Sequence, residues 1–223
     1  MLKGNQAQQF SEVIEVLERM YNHANLAVFE RRTGEKITLP VYITVQSKGK
    51  RNAYGWVTLY QAWQDSEGNG VAYELNIAAE TLGRPSDKTY LTLLHEMVHL
   101  FNLQKGIKDC AAKSGRHNAN FGKTCDLIGL KNACDPAQNG YHTHFELTES
   151  GSEIQEAYQK YYEAYPADYE KIAVNRAEQV KVVKKRSVSN QIKYICPCCG
   201  TSVRATKRVN IKCTDCDCDM VQA

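Results

Sequence analysis

The chain has 223 residues, 28 Lys and Arg against 25 Asp and Glu, a formal charge of +3, and 43% hydrophobic residues. That length suits one main domain plus a small module, and no apolar run approaches the ~20 residues that a membrane-spanning helix needs. Nine cysteines could build a secreted disulfide scaffold, but six of them crowd between Cys196 and Cys218, a clustering that reads as metal binding in a reducing compartment. Cys110, Cys125 and Cys134 read as free thiols. The start, Met1-Leu2-Lys3-Gly4-Asn5-Gln6, lacks the apolar core of a signal peptide. The expectation is a cytoplasmic protein with no membrane partner, nucleoid-associated in a bacterium.

In chain order, residues 5–24 read as a helix with Phe10, Val13, Ile14, Leu17 and Tyr21 on one face. Residues 37–46 read as a strand that starts at Pro40 or lies at an edge, because proline cannot donate to a ladder. Two further strands are predicted around 53–60 and 71–77, with Gly68-Asn69-Gly70 as the turn.

The run Leu93-Leu94-His95-Glu96-Met97-Val98-His99-Leu100 follows. Histidines four apart share one helix face, a turn from each other, so both imidazoles can reach one metal ion. Glu96 beside them is placed to act as general base toward a water, the H-E-x-x-H arrangement of zinc proteases. Ser86 after Pro85 is read as the helix cap, and Gly106 as its stop. Apolar residues surround the three polar ones: Leu91, Leu94, Val98 and Phe101 on one stripe, Leu93, Met97 and Leu100 on another. An ionised glutamate there is costly unless compensated.

A catalytic zinc holds three protein ligands. His117 is one candidate for the third, just before a helix with Phe121, Cys125 and Ile128 on one face and Gly129 at its end. His144 competes with it. The alternation His142, His144, Glu146 within 140–148 fits a strand face. Tyr141, His142 or His144 could donate to an oxyanion, or the histidines could simply be solvated.

Residues 151–186 read as polar helix broken at Pro166. Tyr158, Tyr161, Tyr162 and Tyr165 there serve either packing or stacking on bases. Cys196, Cys199, Cys213 and Cys216 form two C-x-x-C pairs spaced as a zinc ribbon; Cys198 and Cys218 are surplus and could replace a neighbour. From Arg176 onward ten basic residues face four acidic ones. Lys184, Lys185, Arg204, Lys207 and Arg208 are the candidate phosphate contacts, and Tyr194 a candidate for stacking.

The motif Leu94-His95-Glu96-Met97-Val98-His99, followed by Gly115-Arg116-His117-Asn118-Ala119-Asn120-Phe121 opening a helix, resembles the SprT-like domain. Its best-known members are the Spartan-type proteases, which cleave proteins crosslinked to DNA. The resemblance covers roughly residues 10–145 and extends to the ribbon. It implies His95, His99 and His117 as ligands of a catalytic zinc and Glu96 as acid/base. Asn120 stands where many members carry an acid. The element order suggests an α+β fold and the resemblance a zincin-like metalloprotease domain (1–150) with a small antiparallel sheet; a helical basic linker (151–190), which has no counterpart in the better-known members, and a β zinc ribbon (191–223) follow. A substrate strand is expected to pair with the strand before the motif helix. The function expected is a zinc metalloendopeptidase with two Zn2+ per chain, acting on DNA-associated or DNA-crosslinked proteins and binding single-stranded or distorted DNA. Two alternatives are a nucleic-acid-binding or regulatory protein with structural zinc, and a zinc hydrolase of non-protein amides.

Overall fold

The computed structural model describes residues 10–49, 53–111, 115–135, 140–177 and 191–223. The chain forms two compact units divided between residues 178 and 179. The first mixes helix and sheet. Helix α1 (Ser11–Ala24) buries Val13, Val16, Leu17, Met20 and Tyr21 along one face; of the residues expected there, Phe10 is exposed and Ile14 only partly buried. It does not stop at residue 24. It widens into a π-helical stretch, Asn25–Glu30, and continues through α2 (Arg31–Thr33). The Asn25 amide then receives the returning chain, donating to the Ile37 carbonyl and accepting from the Ile37 N–H, both at 2.9 Å.

Four strands follow: β1 (Val41–Gln46), β2 (Gly55–Val57), β3 (Trp63–Gln64) and β4 (Gly70–Ala78). Their sheet is mixed, not antiparallel as expected. β1 pairs β4 in parallel, while β2 and β3 pair antiparallel with β4 on its other side. The chain reverses twice between β1 and β4, once after β1 and once at the Asp65–Gly70 turn, so those two strands end up aligned. β2 and β3 are two pieces of one edge. Ile43, Leu75 and Ile77 are buried on the inner face; Thr44 Oγ1 reaches Asn76 Oδ1 at 2.9 Å on the outer one.

Helix α3 (Ser86–Gln104) carries the H-E-x-x-H motif and is buried along most of its length. Pro85, not Ser86, occupies its N-cap, and the Ser86 hydroxyl instead meets Tyr158 Oη at 2.6 Å. Helix α4 (Ala119–Ile128) is capped by Asn118, which accepts from the Asn120 N–H at 2.8 Å. Strands β5 (Asn132–Asp135) and β6 (Gly140–Thr143) form a ribbon; β6 ends before His144, short of the expected 140–148.

Helices α5 (Ser152–Ala164) and α6 (Asp168–Ile172), separated at Pro166, belong to this core and not to a linker. Ile154, Ala157, Tyr161 and Ile172 are buried in the same cluster as Leu17 and Leu94. Tyr161 Oη donates to Asp168 Oδ2 (2.6 Å), which also takes Arg19 Nε (2.9 Å). The tyrosine-rich face thus divides: Tyr161 packs, while Tyr162 and Tyr165 remain exposed.

The second unit holds β7 (Ile192–Ile195), β8 (Ser202–Ala205), β9 (Lys212–Cys213), β10 (Cys218–Asp219) and β11 (Val221–Gln222), arranged as sheets β11-β7-β8 and β10-β9. Tyr194, Cys196, Cys213 and Met220 make its small core. Among the described residues no helix is long and apolar enough to cross a membrane.

If α5 is part of the first unit's core, Ile154→Ala, which empties a fully buried position, should cost about 2–5 kcal/mol in denaturant unfolding followed by α-helical signal. A linker helix would give a change near zero.

Candidate metal centres

Three histidines meet over α3. The ligand nitrogens of His95, His99 and His117 lie within 4.8 Å of one another. His95 and His99 come from adjacent turns of the helix, and His117 is brought over them by the loop before α4. That loop is tied at several points. Asn118 N–H donates to the Asp109 carbonyl (2.8 Å), and the Asn118 and Asn120 side chains both donate to the Lys108 carbonyl (3.0 and 2.9 Å). Asn120 therefore anchors the loop and leaves any outer carboxylate to come from elsewhere.

It comes from Asp109. His99 Nδ1 contacts Asp109 Oδ2 at 2.8 Å, and Asn102 Nδ2 donates to the same oxygen at 3.0 Å. Thr124 Oγ1 in turn donates to Asn102 Oδ1 at 2.7 Å. All four residues are buried, so a closed polar network backs the second ligand. His117 Nδ1 donates to the Tyr141 carbonyl at 2.7 Å, and His95 Nδ1 pairs with Thr143 Oγ1 at 2.8 Å. Every Nδ1 is engaged by an outer partner, which leaves each Nε2 as the nitrogen for an ion. Phe121 forms the floor. Its ring stacks on His117 at 4.0 Å and lies 4.9 Å from both other imidazoles.

The electrostatics favour the neutral form at two of the three imidazoles, while Asp109 favours the charged form of His99. Burial, with help from the other imidazoles, holds His95 well below the ordinary histidine range. Burial and His99 push His117 down to about 4. Both are neutral ligands at pH 7. Burial opposes charge on His99 and Asp109 alike, yet their hydrogen bond holds the Asp109 carboxyl below its ordinary range. Glu96 is 4% exposed, and burial pushes its carboxyl up to about 7.

Gly55 on β2 passes directly beside Glu96. A Cβ there would lie 2.9 Å from the Asn76 carbonyl and 3.1 Å from Glu96 Cγ, so only glycine lets the strand approach this closely. Gly140, with φ +75°, has a similar role on the far side: a Cβ would strike the His117 carbonyl. The rim beyond is aromatic, with Tyr54 edge-on to Phe145 at 5.3 Å and the Arg84 guanidinium 4.1 Å over Tyr54.

His144 stands outside the three-histidine group. Its Nδ1 faces Glu149 Oε2 at 2.7 Å, and the group that forms contains His117. His142 stacks on His144 at 5.9 Å.

The second centre lies in the ribbon unit. Cys196, Cys199, Cys213 and Cys216 bring four sulfurs within 4.8 Å, a set that could hold a metal ion. The Cys199 N–H points at Cys196 Sγ (3.5 Å). This contact and the Cys198 N–H push the Cys196 thiol down to about 6 against its burial. Cys218 lies beside the set, 3.4 Å from Cys196 Sγ, and that contact pushes its own thiol up to about 12.

Of the basic residues, Arg204, Lys207 and Arg208 are exposed; Lys184 and Lys185 lie outside the described residues. Lys193 was not among the sequence candidates. It pairs directly across the ladder with Arg204, and like charges so placed repel unless an anion neutralises them. Tyr194 is buried, and its Oη accepts from the Val209 N–H at 3.1 Å, so it has no face for stacking on bases.

Comparison of the chain with protein-family models, curated proteins and solved structures finds no match.

Asp109→Asn keeps the size but loses the charge that holds His99. It should weaken metal binding at the histidine site by about 10–100-fold, read by chelator competition, with the fold retained. His144→Ala should leave that affinity unchanged. The opposite pattern would make His144 the third ligand.

Proposed function

We propose that this chain is a zinc metallopeptidase of the SprT-like type that its motifs resemble, directed to DNA-bound proteins by its ribbon. The observation that carries the reading is the coincidence of two imidazoles and a buried glutamate on one helix with a third imidazole, His117, brought over them. A purely structural ion has no need of that carboxylate. The donor sets fit zinc at both centres: three nitrogens, which leave one tetrahedral position to a water or substrate, suit a catalytic ion, and four thiolates suit a closed structural one. Zinc on the three histidines would supply Lewis acidity, polarising a peptide carbonyl and bringing the pKa of a water toward neutrality.

The residues of the chain do the rest. Glu96 accepts the proton of the attacking water and returns it to the leaving amine. Its raised pKa suits that exchange near neutral pH. A peptide must lie extended beside Glu96. The strand before the motif helix, β4, cannot receive it, because β4 is paired on both sides. β2 can. Thr58 N–H donates to the Glu74 carbonyl and Ala78 N–H to the Tyr54 carbonyl, so residues 54, 56 and 58 face β4 and the backbone groups of Gly55 and Val57 face outward. Among the described residues no strand covers that edge. A substrate strand added there runs past Glu96 and the histidines, with main-chain bonds giving affinity without sequence preference. That matches a protease for diverse substrates, and it favours a peptide over a small amide.

The ribbon supports the DNA part. Lys193 and Arg204 side by side, with exposed Lys207 and Arg208 close in sequence, make a surface that a phosphate backbone would neutralise. Tethering would raise the local concentration of DNA-bound substrates.

Glu96→Gln should leave the metal content unchanged while lowering hydrolysis of a DNA-bound test protein by about 10²–10⁴-fold. Residual cleavage equal to wild type would refute the enzyme reading.

Reversing Arg204, Lys207 and Arg208 to Glu should abolish stimulation of cleavage by DNA and flatten the fall of DNA affinity with salt. Both are measured across a salt series, with unchanged metal content as the control. Salt-insensitive cleavage, equal with and without DNA, would leave a general peptidase.

A further inference from the structure

Four sulfurs close a tetrahedral site, yet a fifth touches this one. Cys218 opens β10, directly across the ladder from the ligand Cys213. Its position is therefore set by the sheet and not by an ion. Its Sγ lies 3.4 Å from Cys196 Sγ. Cys196 is 1% exposed, whereas Cys218 is partly accessible. Joining the two sulfurs requires them to close by roughly 1.4 Å, to the ~2.05 Å of a disulfide. Cys218 is surplus to the ligand set and packs only at the margin of the small core.

We propose that Cys196 and Cys218 form an oxidation site, which hydrogen peroxide converts to a disulfide at the expense of one metal ligand. Of these two sulfurs, the peroxide reaches the partly accessible Cys218 before the buried Cys196. The Cys218 proton passes to the Cys196 thiolate 3.4 Å away, the freed Cys218 thiolate attacks one peroxide oxygen, the O–O bond breaks and a sulfenic acid forms, and the departing hydroxide takes that proton back from Cys196 and leaves as water. The Cys196 thiolate then attacks the Cys218 sulfur; the S–S bond forms, the S–O bond breaks and hydroxide leaves. The two sulfurs together give two electrons, which reduce the peroxide to water and hydroxide. Cys199, Cys213 and Cys216 would remain, three ligands where four would hold an ion, and a bound ion would be released. That last consequence rests on the ribbon zinc proposed above; the disulfide does not.

The test uses the full chain as purified. It is treated with stoichiometric hydrogen peroxide, alkylated, digested and mapped by tandem mass spectrometry, while a chromogenic chelator follows metal release. The expected result is a peptide linking Cys196 to Cys218 and release of about one ion per chain on the same time course, both reversed by a dithiol with added zinc salt. Cys218→Ser should bind the same metal and lose it at least about tenfold more slowly. Cys198→Ser, which alters the neighbouring surplus thiol, should behave as wild type. The proposal is overturned if the link joins Cys198 to Cys199 or to Cys218. It is also overturned if Cys218→Ser loses metal as fast as wild type. A chain that carries no ribbon metal but still forms the Cys196–Cys218 link would refute the zinc reading and leave the oxidation site standing.

Discussion

The outer hydrogen bonds of three imidazoles hold this structure's chemistry together. An imidazole on its own can turn and can offer either nitrogen. Here a carboxylate (Asp109), a hydroxyl (Thr143) and a backbone carbonyl (Tyr141) each occupy one Nδ1, so the three Nε2 atoms share a focus before any ion arrives. Preorganisation of this kind replaces an entropic cost at binding with one met during folding. It also explains the demands on the surrounding chain. β5 and β6 exist to deliver Thr143 and the Tyr141 carbonyl, and the loop from Lys108 to Asn118 exists to deliver Asp109 and His117. Gly140 lets those two segments touch.

The same constraint orders the core. Helix α3 must be buried to keep Glu96 away from bulk water, and it is enclosed by α1, the inner face of the sheet, α4 and α5. A buried carboxyl with a raised pKa is a stability cost near neutral pH, because the folded chain binds a proton that the unfolded chain releases. Stability from this group is therefore greatest at low pH and falls as pH rises above the unfolded carboxylate range. The apolar packing around Leu91, Leu94 and Phe121 offsets it. That arrangement is typical of a site whose function tolerates local disadvantage.

Much of this was legible in the sequence, and the reasons are local. The spacing His95-x-x-x-His99 is a helix turn, and C-x-x-C is a knuckle; both write geometry into adjacent residues. His117 was legible because Phe121, Cys125 and Ile128 announced the helix that follows it. What could not be read is what depends on distant partners. Asp109 is an unremarkable acid ten residues beyond His99, and the Tyr141 carbonyl has no side-chain signature at all. The parallel pairing of β1 with β4 follows from two chain reversals that hydrophobic alternation does not record. Pro166 marked a broken helix and the tyrosines suggested packing onto the domain, which holds for Tyr161 but not for the exposed Tyr162 and Tyr165. Tyr194 misled because aromatic residues serve a core and a stacking surface equally well: in so small a ribbon it is needed inside. The partition at residue 150 failed because α5 looks polar except at Ile154, Ala157 and Tyr161, the three positions that reach the core.

The most direct measurement of the central claim is anomalous diffraction at the zinc absorption edge from crystals of the full chain grown with zinc. One peak is expected bonded to Nε2 of His95, His99 and His117 at about 2.0–2.1 Å, with each Nδ1 still held by its outer partner, and a second among the four ribbon sulfurs at about 2.3 Å. A chain with no peak at the histidines, or with an ion bound through Nδ1 or by His144, would contradict it.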